Sequence, residues 1–104
     1  MPIQHERAYA TKTNTVSSTA ETISDSGWSW AAGDVSSADR ALITCRTGGA
    51  MVTWSGVTPT ATLGHLVAAN ATYEVIGNVN IANLQFIREA STDAVITVTL
   101  SKLP

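Results

Sequence analysis

Charge is what this chain has least of. Only 13% of its 104 residues are Asp, Glu, Lys or Arg, against roughly 25% in typical soluble domains. The six cations (Arg7, Lys12, Arg40, Arg46, Arg88, Lys102) form no run, and the formal net charge is −2. Without a basic field nothing draws in a phosphate backbone, so nucleic acid is not an expected partner. The single cysteine, Cys45, excludes an internal disulfide. Inside the apolar segment Ala41-Leu-Ile-Thr-Cys-Arg46 it reads as a small buried hydrophobe, since a reactive thiol needs an open, electropositive setting. No apolar run approaches the roughly 18 residues that would mark a membrane span, so no membrane is expected. The opening Met1-Pro-Ile-Gln-His-Glu-Arg7 is polar and no apolar stretch of a secretory signal follows. The expectation is therefore a soluble product of a cytoplasm.

Catalytic patterns are missing too. The two histidines, His5 and His65, share no spacing with each other or with Cys45, so no zinc cage is expected. The carboxylates stand alone, and Asp34 with Asp39 is too sparse for a calcium loop. No glycine-rich loop leads into Lys and Ser or Thr as a phosphate cradle would require. No nucleophile and base, and no carboxylate pair, can be matched by spacing. The expectations are no enzyme, no metal and no cofactor.

What is present is alternation. In Ala94-Val-Ile-Thr-Val-Thr-Leu-Ser101 a strand sends Ile96, Val98 and Leu100 to one face. Val95, Thr97 and Thr99 go to the other, which leaves one dry face and one face able to meet water or a partner. Upstream, Ala41–Arg46 reads as a strand. Thr47-Gly-Gly49 reads as a hairpin turn onto Ala50–Ser55, because paired glycines supply the positive φ such turns demand. Gly56, Pro59 and Gly64 break the chain into a connecting loop. His65–Val67 reads as a short strand, although Leu63, Leu66 and Val67 also fall at helical spacing. Thr72–Ile76 and Ala82–Arg88 follow as strands, and Ser91-Thr-Asp93 turns the second of these into the closing strand. Gly33–Asp39 reads as a loop or one helical turn with Asp34 as its cap.

Six or seven short strands with regular breakers indicate an all-β fold, a small β-sandwich or barrel. A chain this size makes one domain with a modest core, so association would help it. Residues 27–104 are taken as that domain. Residues 1–26 differ: Thr, Ser and Asn dominate, and Ile3, Tyr9, Val16 and Ile23 are widely spaced. They read as an extended N-terminal arm laid on a partner, or as a flexible tail, with Ile3, Tyr9 and Val16 as candidate partner contacts. In Gly27-Trp-Ser-Trp30, a strand would put Trp28 and Trp30 on one face. Together with Trp54 they are either core anchors or an exposed stacking platform for sugars.

The second half carries a resemblance. Gly56-x-x-Pro59-Thr60, then Gly64 and a short strand, then Ile81-x-x-Leu84-x-Phe86-Ile87 before Ile96-Thr-Val-Thr-Leu100 resembles small β-domain structural proteins of tailed-bacteriophage virions. Among these are capsid decoration (cement) proteins and head-fibre components. The likeness covers roughly Arg40 to Leu100 and implies a non-enzymatic virion part made in the host bacterial cytoplasm. It further implies a homo-oligomer, such as a trimer, that sits on the outer capsid surface and binds the major capsid protein. It transfers no catalytic residues. The alternative is a glycan- or host-surface-binding module, a head fibre or tail component, using Trp28, Trp30 and Trp54.

Overall fold

The alternation at the C-terminal end is the backbone of the core. In the computed structural model, which describes residues 7–103, Ile96, Val98 and Leu100 are fully buried on the strand Ala94–Lys102 (β8). Among the described residues seven other strands precede it. They are β1 (Arg7–Val16), β2 (Glu21–Thr22), β3 (Arg40–Thr47), β4 (Ala50–Thr53), β5 (His65–Val67), β6 (Thr72–Ile76) and β7 (Gln85–Arg88). A short helix, α1 (Asn78–Ala82), links β6 to β7, and Ser26–Trp28 form a 3₁₀ turn.

These strands make two antiparallel sheets packed face to face. One has the order β1-β8-β3-β6 and the other β2-β7-β4-β5. Ala41, Ile43 and Cys45 of β3 line up with Leu100, Val98 and Ile96 of β8 on the inner face of the first sheet. Val52, Val67 and Phe86 join the same core from the second sheet. Each of the larger side chains among these (Val, Ile, Leu and Phe) contributes roughly 1.5–3 kcal/mol when fully buried. Of the seven connections between successive strands, only β4 to β5 stays within one sheet; the other six cross. That strand order is a jelly roll, a double-sheet architecture whose edge strands here are β1, β6, β2 and β5. The all-β sandwich expected from the sequence is thus the fold.

Its wiring differs from the local reading. Gly48-Gly49 does not close a hairpin, because β3 pairs with β6 and β8 while β4 pairs with β5 and β7. The turn instead carries the chain from one sheet to the other. Gly48 has φ +66°, and a Cβ there would meet the Thr92 carbonyl oxygen at 2.9 Å. The link through Ser91-Thr-Asp93 likewise crosses between sheets and closes no hairpin. The true hairpin is β4–β5, with Met51 opposite Leu66 and Val52 opposite His65. His65–Val67 is a strand, so the helical spacing around Leu63 was incidental. Residues 33–39 make turns without a regular helix, and the Asp34 carboxylate accepts from the Ala31 N–H at 3.0 Å.

From Arg7 onward the expected arm belongs to the sandwich. β1 is extended, as anticipated, but it runs along β8 of its own chain from Arg7↔Lys102 to Val16↔Ala94. β2 pairs with β7 in the other sheet, and Val16 and Ile23 are fully buried in the common core. A boundary at 26/27 therefore cuts through one core. Ile3 lies outside the described residues. No helix among the described residues is long and apolar enough to cross a membrane.

Candidate functional site

The tryptophans do not form one platform. Gly27 to Trp30 are not a strand: Trp28 ends the 3₁₀ turn and Ser29 sits at φ +59°, a left-handed conformation. The kink still brings the two indoles together, with ring centroids 6.0 Å apart and planes 13° from parallel. Trp28 is 1% exposed and leans on Phe86 at 5.4 Å, so it anchors the core. Its indole N–H is buried without a protein partner among the described residues. Trp30 is half-buried, and its indole N–H donates to the Ile23 carbonyl at 3.0 Å. Trp54 belongs to a separate ring cluster, stacked on His65 at 4.6 Å and tilted against Tyr73 at 5.4 Å.

Two depressions follow from this division. The larger, about 600 Å³, has Trp30, Val35 and Ala82 as its apolar wall, while Ser24, Asp25 and Ser26 supply polar groups. The smaller, about 300 Å³, is flanked by Trp54, His65 and Leu63. The serines around Trp30 carried no recognisable sequence spacing, because they come from the β2 exit, the 3₁₀ turn and the 33–37 turns.

A third surface emerges from strand register. On the outer face of the first sheet, Thr13 of β1 stands opposite Thr97 of β8. Thr97 stands opposite Thr44 of β3, and Thr44 opposite Thr72 of β6. One row of four threonines therefore crosses all four strands. Thr13 and Thr97 hydroxyls lie 2.9 Å apart, and Thr44 and Thr72 hydroxyls 3.3 Å apart. The adjacent row runs Thr11, Thr99, Leu42 and Glu74, with a 3.0 Å contact between the first two hydroxyls. Thr11, Thr13 and Thr72 are exposed, and Thr44, Thr97 and Thr99 half-buried. β-Branched side chains with restricted χ1, paired across strands, make the threonine row stiff and free of charge, with the Arg40–Glu74 ion pair beside it.

The contacts assigned to the arm fall elsewhere. Val16 faces the core and is closed to any partner. Tyr9 is the extra residue of a β-bulge, since Ala8 pairs with Ser101 and Ala10 with Leu100. The bulge turns Tyr9 inward, where its hydroxyl donates to the Asp34 carbonyl oxygen and Lys102 Nζ lies 5.0 Å from its ring. Burial pushes the Tyr9 phenol above its ordinary pKa, and the Asp34 and Asp39 carboxylates push the same way. Burial also raises the Cys45 thiol, against a smaller opposing effect of a hydrogen bond with the Ala50 backbone. No group of three or more His, Cys, Asp or Glu among the described residues is placed to hold a metal ion.

No protein-family model matches the chain, and neither a curated protein nor a solved structure matches it.

Proposed function

We propose that this chain is a non-enzymatic structural protein of a tailed-phage virion. In this reading it is a capsid decoration protein that self-associates and binds the major capsid protein on the outer head surface. The resemblance of the motifs between Arg40 and Leu100 to phage structural proteins supports this reading. The jelly roll is an architecture that viral shell proteins use, as do lectins, but an architecture does not set a function by itself.

The observation that carries the reading is the threonine row Thr13–Thr97–Thr44–Thr72. A row of methyl and hydroxyl groups docks on another protein with no water to strip from ions of its own, which is the expensive part of burying polar surface. The charges beside it, Arg40 and Glu74, are already paired with each other. Its side chains are already ordered by cross-strand hydroxyl contacts, so little rotamer entropy is lost on contact. Modest affinity per copy suffices on a lattice, where oligomers engage several sites at once and avidity rises by orders of magnitude. The partner surface moves accordingly, from the arm residues Tyr9 and Val16 to the outer face of the first sheet.

The test is cosedimentation of the purified chain with mature heads of the tailed phage that encodes it, together with light scattering of the free protein. Saturable binding by an oligomer is expected. Lysines at Thr44 and Thr97 should abolish binding while leaving the circular dichroism spectrum intact, because both side chains point away from the core. A wild-type chain that fails to saturate the heads overturns the reading.

A further inference from the structure

We propose that the groove beside Trp30 is a binding site for a neutral saccharide. Nothing in this inference depends on the virion reading; it stands on the groove alone.

Sugar recognition needs a flat apolar face for the C–H side of a pyranose and polar groups at its edge for the hydroxyls. Trp30 provides the face in a fixed position. One side of its ring is backed by Trp28 at 6.0 Å in near-parallel stacking, and its indole N–H is tied to the Ile23 carbonyl at 3.0 Å. Trp28 is in turn clamped in the core against Phe86. The platform is therefore built before any ligand arrives, which removes an ordering cost from binding. At about 600 Å³ the groove has the size of ordinary ligand sites.

The polar edge fits the same class. Asp25 is held by two hydrogen bonds from Thr22, one from its N–H and one from its hydroxyl, each 3.0 Å. A carboxylate keeps further acceptor capacity after two such bonds, so it can receive sugar hydroxyl protons. The hydroxyls of Ser24 and Ser26 make no hydrogen bond to protein among the described residues and can donate or accept.

Charge then narrows the ligand. No Lys, Arg or His lines the groove, and Asp25 is among its lining residues. A sialylated or uronate-bearing glycan would meet a carboxylate with no cation to offset it. The site suits uncharged hexoses and N-acetylhexosamines in short oligomers. Trp54 takes no part, since its ring is committed to His65 and Tyr73 in the other depression.

The experiment screens the full chain against an array of neutral and acidic oligosaccharides, followed by saturation-transfer NMR and tryptophan quenching with the hits. Neutral glycans are expected to bind with dissociation constants on the order of millimolar or tighter and to shield Trp30 from acrylamide. Trp30→Ala should weaken binding about tenfold or more. Because that change also uncovers Trp28, Ala82→Trp is the companion variant: Ala82 is exposed on α1, and a large ring there fills the groove without touching the core. It should abolish binding with the thermal melt unchanged, while Trp54→Phe binds like the parent. Absence of any neutral hit, preference for acidic glycans, or full binding by Ala82→Trp would each overturn the proposal.

Discussion

The Tyr9 hydroxyl donates to the carbonyl oxygen of Asp34, twenty-five residues away, and so ties a bulge in the first strand to the turns beside the Trp30 groove. The bond joins an edge strand to a loop that has no strand partner of its own. Tyr9→Phe removes it and should cost about 1 kcal/mol in a denaturant titration at neutral pH.

The same residue sets an alkaline limit. Its proton is held more tightly in the folded chain than in the unfolded one, whose phenol titrates near 10.0. The stability it contributes is complete below that value and is lost as the pH climbs through the higher native one. Cys45 acts in the same direction from its ordinary 9.0. Urea midpoints measured between pH 8 and 11 should therefore fall with rising pH. The decline should be shallower at its upper end in Tyr9→Phe and at its lower end in Cys45→Ala.

β1 is an integral strand, and amide exchange will show it. Its N–H groups facing β8 should be protected to nearly the same degree as those of β8 itself. A detached arm would exchange all of its amides within seconds. Exchange at that rate throughout residues 10–16 would contradict the pairing.

Gly48 tolerates no side chain. At φ +66° a Cβ costs roughly 1–3 kcal/mol in backbone strain, and here it would also press on the Thr92 carbonyl oxygen at 2.9 Å. Gly48→Ala should lower stability by at least that amount. Gly33→Ala, also at positive φ but with nothing within 4 Å, should lose only the strain.

Core and surface should separate cleanly. Phe86→Ala empties a fully buried site against Trp28 and should cost about 3–5 kcal/mol. Glu74→Gln breaks the 2.8 Å ion pair with Arg40 between partly exposed side chains and should cost about 0.5 kcal/mol or less. Calorimetric melts of the two variants distinguish them directly.

The faces of the strands were legible in the sequence; their partners were not. Ile96, Val98 and Leu100 announce their inward face by period-two alternation, and all three are buried. Gly48-Gly49 announces a turn, yet turn chemistry is local and says nothing about which sheet receives the next strand. The first strand's extended form was legible but its place in the sheet was not, because an edge strand needs few apolar residues: Val16 buries one end while backbone pairing to β8 carries the remainder. The Trp30 groove hid for another reason. A left-handed Ser29 places the indoles side by side where a strand pattern was assumed, and Asp25 and the serines, though near Trp30 in sequence, are gathered on one side of it by irregular turns that no periodic pattern announces.

Arg7 and Lys102 face each other at one end of the first sheet, and β8 lies in its interior between β1 and β3. During translation β1, and the edge of β3 that β8 covers, must therefore wait with those backbone groups unmatched until β8 leaves the ribosome. Closing so long a loop is an entropic cost met before any compensating contact, which favours slow, late assembly. Nascent copies held on one polysome would expose the same vacant slot to one another. Expression at low temperature, or with a holdase chaperone, should raise the yield of correctly folded protein.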